Sequence, residues 1–425
     1  MKDYDIAMVG LGYIGLPTAA LFASKGKKVL GIDVNQDVVD IINNGGIHII
    51  EPGLESIVKT TTTNGFFSAS VVPQPADVFI IAVPTPFIHN DTHEGTPKPD
   101  VSYIKSAAIA ISKVLKKGDL VILESTSPVG TTEKLAGWLA AERTDLSFPH
   151  MASEDSDIRV AFCPERVLPG QVIKELVEND RIIGGMTERC SAEAIAVYKT
   201  FVKGECFRTN ARTAEMAKLT ENASRDVGIA FANELSVLCD SLNINVWELI
   251  RLANKHPRVN ILKPGSGVGG HCIAVDPWFI VSESPSDARI IREARHINDS
   301  KPDWVISKVN SEIKNLSKKK PMDDIVVACL GLAFKPNIDD LRESPALYIT
   351  QKIVDTNPWK VIVVEPNIDQ LPKSLLGKAE LSGLDNALAK ASVVVILTNH
   401  LEFRSIKDQV GDDQIILDFV GVDEE

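Results

Sequence analysis

The chain has 425 residues, 44% hydrophobic and 24% charged, proportions that fit a soluble globular protein of two or three domains. Its net charge of −12 argues against nucleic acid or an anionic membrane as partner, since both reward a basic face. No apolar run approaches the roughly 18 residues of a membrane span, and the opening Met-Lys-Asp-Tyr-Asp carries no secretory pattern. Cys163, Cys190, Cys206, Cys239, Cys272 and Cys329 are scattered with no CxxC pair, so the expectation is a reduced, cytoplasmic protein with no metal site and no membrane insertion.

In chain order, an apolar strand at residues 5–8 runs into Gly10-Leu-Gly12-Tyr-Ile-Gly15 and an Ala/Leu-rich helix. A second strand, 28–32, ends at Asp33. Strands recur at 78–83, 120–124 and 160–163 with helical patterns between them, the rhythm of a parallel sheet covered on both faces. From 213 to 254 apolar residues recur at helical spacing, with no proline and with Gly228 as the only glycine; one long helix followed by another is predicted. A Gly/Pro-rich loop spans 257–277 and a further helix 287–315. Ser317-Lys-Lys-Lys-Pro321 marks a boundary, after which strands are predicted at 325–330, 361–364, 393–397 and 414–419. The expected fold is α/β, with two Rossmann-like doubly wound domains joined by a long central helix. Its divisions are 1–212 for a dinucleotide, 213–316 for a helical dimerisation segment and 317–425 for the second α/β domain.

Three segments carry chemistry. Gly10, Gly12 and Gly15 form GxGxxG between a strand and a helix; such glycines allow a tight turn and close approach of a diphosphate to the helix N-terminus. Asp33 is placed to accept ribose hydroxyls and repel a 2′-phosphate, which favours NAD over NADP. The alternative is a tight turn with no cofactor. In Gly265-Ser-Gly-Val-Gly-Gly-His-Cys272-Ile-Ala-Val-Asp276-Pro, backbone amides converge on a thiol that they would activate as a nucleophile. Asp276 is spaced to orient a base or a water, and His271 suits a structural or substrate-shaping role. A cysteine buried in a tight turn is the other reading. Lys218, Asn222 and Arg225 lie at i, i+4 and i+7, on one helical face. They form either a solvated polar face or a lysine–amide pair that binds a developing oxyanion or holds a water.

Six ordered segments go further: GLGYIGLP at 10–17, ESTSPVGTTEK at 124–134, CPERVLPG at 163–170, EMAKLTEN at 215–222, GVGGHCIAVDP at 267–277 and GLAFKPNIDDLRESPA at 331–346. With them the chain resembles the UDP-glucose/GDP-mannose dehydrogenase family over nearly its whole length. The resemblance implies an NAD cofactor, a helical homodimer core and a UDP-binding C-terminal domain. It makes Cys272 the nucleophile, Lys218 and Asn222 the oxyanion- and water-holding pair, and Asp276 a catalytic carboxylate. It also implies that Glu165 assists thioester hydrolysis and that Thr126 stands near the nicotinamide and the catalytic water. Cofactor contacts are implied at Gly10, Gly12, Tyr13, Ile14, Gly15 and Asp33, and at Thr85, Thr126 and Arg342. Substrate contacts are implied at Arg166, Val167, Lys218, Asn222 and Arg225, and at Gly269, Phe334, Lys335 and Arg342. His256 and Arg258 are implied to reach the partner subunit's site.

Family members that act on UDP-glucose usually carry a lysine immediately before the catalytic aspartate, where this chain has Val275. Together with His256-Pro-Arg258-Val-Asn260 and Ala274-Val-Asp-Pro-Trp278, this turns the expectation to a UDP-N-acetylhexosamine, N-acetylmannosamine first and N-acetylglucosamine or N-acetylgalactosamine as alternatives. The implied reaction is a four-electron oxidation of a primary alcohol to a carboxylate with two NAD, through a thiohemiacetal and a thioester on Cys272. The resemblance also implies that its uronic acid product serves bacterial surface polysaccharides. A non-catalytic NAD-binding sensor is the rival reading, and it leaves the Cys272 loop unexplained.

Overall fold

A computed structural model describes residues 4–88, 96–168, 170–270, 272–356 and 359–423. The chain forms two compact units, Met1–Thr220 with Ser282–Ser284, and Glu221–Val281 with Pro285–Glu425.

The first unit is built on eight strands: β1 (Tyr4–Val9), β2 (Val29–Ile32), β3 (Phe67–Ser70), β4 (Ala76–Ile81), β5 (Leu120–Leu123), β6 (Arg159–Phe162), β7 (Arg181–Gly185) and β8 (Cys206–Asn210). Their order is β3-β2-β1-β4-β5-β6-β7-β8, parallel throughout except for β6 against β7. On β1 the side chains alternate between two cores. Ile6 and Met8 pack with Leu16, Phe22 and Tyr198, while Ala7 and Val9 pack with Ile104, Leu135 and Phe162. A strand apolar on both faces is what a helix-covered parallel sheet requires. The strand order reverses between β1 and β4, so a crevice opens beyond their carboxyl ends, where such folds take their ligands.

The second unit repeats the design with β9 (Val326–Leu330), β10 (Lys360–Val364), β11 (Glu380–Leu381), β12 (Val393–Ile396) and β13 (Ile415–Asp418). All are parallel, in the order β11-β10-β9-β12-β13. Val327 and Cys329 face a core with Val309 and Ile349; Ala328 and Leu330 face one with Leu388 and Phe403.

The predicted long helix is Ala211–Leu242, and the division between the units falls inside it. Helix Val246–Ala253 follows, its N-terminus capped by Asn245, whose side chain accepts from the amides of Trp247 and Glu248. Helix Arg289–Leu316 carries Pro302 in its interior.

Several elements differ from expectation. The strand predicted at 78–83 ends at Ile81, because the Val83 amide leaves the ladder to donate to Ser125 Oγ at 2.8 Å. The loop predicted to 277 gives way at Asp276 to helix Asp276–Glu283. There an acidic residue meets the positive end of the helix and Pro277 loses no needed amide bond. Strands β3, β7 and β8 were not predicted, since their Ser, Gly, Arg and Asn content breaks the apolar run that marks a buried strand. Among the described residues no helix is long and apolar enough to cross a membrane.

Candidate active site

In the first unit the glycine turn divides its labour. Gly10 has φ +92, and a Cβ there would lie 2.4 Å from the Ala82 carbonyl oxygen; one at Gly15 would lie 1.9 Å from that of Gly10. These two glycines let the turn fold. A Cβ at Gly12 would meet nothing within 4 Å, so this backbone faces open space just ahead of helix Gly15–Ser24. Tyr13 is exposed and Ile14 half-buried at the helix N-cap. Asp33 accepts the Leu11 amide on Oδ2 and the Asn35 amide on Oδ1, each at 3.0 Å. It is half-buried, and each oxygen retains a further lone pair. An open amide-lined turn beside an available carboxylate fits the diphosphate and ribose of a dinucleotide.

Beyond β4 and β5, Thr85 Oγ1 donates to the Thr126 carbonyl at 2.7 Å, joining two predicted cofactor residues. The loop after Thr126 is held by a residue outside the predicted site. Buried Glu215 accepts from Gly130 N (2.6 Å), Thr132 N (2.7 Å) and Thr132 Oγ1 (2.6 Å), tying the Lys218 helix to the Thr126 segment. The signal was present, because Glu215 opens the EMAKLTEN motif one turn before Lys218.

Glu165 is buried and accepts the Val167 amide at 2.6 Å. Burial lifts its carboxyl above the usual carboxylate range, against the pull of Arg181 and Lys218. Beneath it Arg181 lies 3.6 Å from Glu124 and 4.7 Å from the Tyr198 ring centre. Burial pushes Glu124 up to about 7 and the Cys163 thiol up to about 12, so Cys163 is an inert core thiol. Arg166 Nη1 donates to the Asp180 carbonyl at 3.4 Å, and Val167 is half-buried.

In the second unit the cysteine loop is fastened at its start. The Gly265 amide donates to Asn233 Oδ1 at 2.9 Å and Ser266 Oγ to the Leu397 carbonyl at 2.9 Å. Asn233 is itself buried in a chain with Asn298, Asp226 and Arg295. Gly267 (φ +144) and Gly270 (φ +81) turn the loop where other residues would be strained. A Cβ at Gly269 would lie 2.4 Å from the Glu343 carbonyl oxygen, and one at Gly270 would lie 2.9 Å from the Phe334 ring. The loop therefore lies directly on the segment that carries Phe334.

Cys272 is exposed, whereas Cys163, Cys190, Cys239 and Cys329 are buried and Cys206 is partly so. Exposure rules out a buried thiol in a tight turn. The Cys272 carbonyl accepts the amides of Val275 (3.1 Å) and Asp276 (2.9 Å), which places the thiol one turn ahead of helix Asp276–Glu283. Buried Asp276 accepts from Asn222 Nδ2 at 2.6 Å. Asn222, expected to hold a water, also fixes the carboxylate. Arg342 is ion-paired to Asp340 at 2.6 Å. Lys335, Arg225, His256 and Arg258 are exposed, and the Arg258 amide donates to His256 Nδ1 at 3.3 Å. His271 lies outside the described residues.

Residues 4–202, 212–300 and 328–424 match in turn the NAD binding, central and UDP binding domains of the UDP-glucose/GDP-mannose dehydrogenase family. The chain belongs to this family. A UDP-N-acetyl-D-mannosamine dehydrogenase of Campylobacter jejuni is 61% identical over 95% of this chain and 97% of its own. An NDP-N-acetyl-D-galactosaminuronic acid dehydrogenase of Ralstonia nicotianae is 57% identical over 98% and 96%. The solved UDP-D-ManNAc dehydrogenase of Pyrococcus horikoshii superposes with a TM-score of 0.83 at 40% identity, over 99% of this chain and 96% of that one. As a member of the family, the chain carries an NAD-binding domain followed by a UDP-binding domain.

Proposed function

We propose that the chain oxidises UDP-N-acetyl-D-mannosamine to the corresponding uronate, consuming two NAD per sugar. The observation that carries this reading is the Cys272 turn. It is an exposed thiol on a glycine loop, one turn ahead of an asparagine-held carboxylate and seated against Phe334. The names of the relatives, and Val275 in place of lysine, support the N-acetylmannosamine substrate.

NAD held by the Gly10–Gly15 turn, Asp33 and Thr85 would accept the hydride lost at each oxidation. The chain's own groups do the rest. Lys218 and Asp276 assist loss of the hydroxyl proton as the alcohol becomes an aldehyde. The Cys272 sulfur then adds to the aldehyde carbon, forming a carbon–sulfur bond and an oxyanion. The Lys218 ammonium stabilises that oxyanion, an effect worth about 3–4 kcal/mol in comparable sites. Oxidation of the thiohemiacetal leaves a thioester. Water held by Asn222 and Thr126 and deprotonated by Glu165 cleaves its carbon–sulfur bond, which releases the uronate and restores the thiol.

The same reading makes the chain a cytoplasmic homodimer, divided into an NAD-binding segment 1–212, a central segment 213–316 and a UDP-binding segment 317–425. Phe231, Leu238 and Leu242 are 53%, 47% and 66% exposed on one face of helix Ala211–Leu242, an apolar stripe that a second copy would cover. N-acetylgalactosamine is the second sugar, kept by the Ralstonia relative. The test is NADH formation with UDP-N-acetylmannosamine, -glucosamine and -galactosamine and with UDP-glucose. The expected kcat/KM is highest for the mannosamine, by about tenfold or more. A higher value with another epimer overturns the sugar, and no turnover with any of them overturns the activity.

A further inference from the structure

The LAFKPN segment after β9 forms loop 332–337, and two residues far from it in sequence govern its backbone. Glu365, at the end of β10, accepts the amides of Leu332 (2.7 Å) and Ala333 (3.0 Å) on the same carboxylate oxygen, Oε2. His400, beyond β12, pairs with that oxygen through Nε2 at 3.0 Å. Its other nitrogen, Nδ1, accepts the Asn337 amide at 3.0 Å. Because Asn337 N can only donate, the network assigns the neutral tautomer with hydrogen on Nε2. One imidazole thus spans the loop, holding its far end directly and its near end through the carboxylate.

Further bonds close the frame. Thr398 Oγ1 donates to the Ala333 carbonyl at 2.8 Å, Ser344 Oγ to that of Leu332 at 2.6 Å, and the Leu401 amide to Asn337 Oδ1 at 2.9 Å. Asn337 sits at φ +61, a left-handed conformation that needs such support. Glu365 is 4% exposed and His400 0%, so neither reaches a ligand. What they fix is the stretch bearing Phe334, on which the cysteine loop rests, and Lys335, whose side chain is exposed.

We infer that His400 and Glu365 are a positioning pair that holds loop 332–337 in the shape that presents Phe334 and Lys335 to the nucleotide sugar. This rests on the reading of those two residues as substrate contacts. Releasing the loop weakens nucleotide-sugar binding and leaves the dinucleotide half untouched.

The test compares His400→Ala, His400→Gln and Asn337→Gly with the wild-type full-length chain. Steady-state kinetics are measured in both substrates, alongside calorimetric binding of UDP alone. His400→Ala is expected to raise the KM for the UDP-sugar and the Kd for UDP by about tenfold, with the KM for NAD unchanged. His400→Gln keeps one acceptor and one donor and restores part of the loss. Asn337→Gly removes the bond from Leu401 but takes φ +61 without strain, so it folds even if His400→Ala does not; it shifts both constants the same way by about threefold. Unchanged UDP affinity in folded His400→Ala or Asn337→Gly, or an equal rise in the KM for NAD, overturns the pair's role. Wild-type protein that binds UDP yet turns over no UDP-sugar overturns the functional reading instead, and the UDP affinities still decide the role of the pair.

Discussion

The two α/β units begin their sheets with the same turn and put it to different uses. After β1, Gly10 (φ +92) donates to the Ile32 carbonyl at 2.8 Å, and the next amide, Leu11, donates to the acid that ends β2. After β9, Gly331 (φ +91) donates to the Val364 carbonyl at 2.8 Å, and the next amide, Leu332, donates to the acid that ends β10. There the likeness stops. In the first unit the helix starts at Gly15, directly after the turn, and Asp33 stays half-exposed. In the second the helix waits until Pro345, and Glu365 is sealed under Ala333, Asn367 and His400. The first turn offers a ligand a helix end and a carboxylate. The second closes the carboxylate and inserts a loop, and on the proposed reading that loop gives the nucleotide sugar the side chains of Phe334, Lys335 and Arg342. On that reading one backbone device serves a dinucleotide by main-chain amides and a UDP-sugar by side chains.

The sharpest way to break this comparison is to remove each acid. Glu365→Ala strands two buried amides and a histidine and should cost about 3–5 kcal/mol of unfolding free energy, whereas Asp33→Ala should cost under about 1 kcal/mol. Asp33→Ala should instead relax the preference for NAD over NADP about tenfold. Denaturant midpoints and cofactor kinetics measure both, and equal stability losses would merge the two roles. Burial alone would lift Glu365, but His400 and the two loop amides outweigh it and hold the carboxyl at about 2. Its folded pKa is depressed, so the stability it contributes is present above the usual carboxylate range. That contribution is lost as pH falls through that range toward 2.

Glu165 titrates the other way. Its carboxyl is raised by burial, so the proposed base is protonated sooner than an ordinary carboxylate when the solution is acidified. The kcat–pH profile for uronate formation should show an acid limb above the usual carboxylate range. Glu165→Gln should remove that limb and lower turnover about a hundredfold. A limb that survives the substitution would place the base elsewhere.

Smaller effects come from the glycines. Gly10→Ala and Gly331→Ala each set a methyl group 2.4 Å from a neighbour at a positive φ and should lose about 2–3 kcal/mol of stability. Gly12→Ala meets nothing within 4 Å and should fold normally while its NAD affinity falls, because the methyl occupies the diphosphate's approach. Calorimetry against urea titration separates the two outcomes.

Much of this was legible from residue order. The apolar strands, the long helix and the glycine turn with its acid all follow from periodicity and turn chemistry, and the ordered motifs named the thiol and its neighbours. The supporting residues were not legible, for physical reasons. Asn233, Glu365 and His400 act by satisfying amides of segments remote in sequence, such as Gly265, Leu332 and Asn337. A carboxylate that caps a distant loop looks, in one dimension, like any other charged residue at the end of an element. β7 escaped for a related reason: its leading Arg181 reads as surface charge, yet it is buried against Glu124 and Tyr198.

The proposed covalent four-electron oxidation at Cys272 is measured by the NADH released per molecule of UDP-N-acetylmannosamine consumed to completion. The account predicts two NADH and one uronate per sugar in the wild type, with no uronate from Cys272→Ser. One NADH per sugar with free aldehyde as product, or full uronate formation by Cys272→Ser, would contradict it.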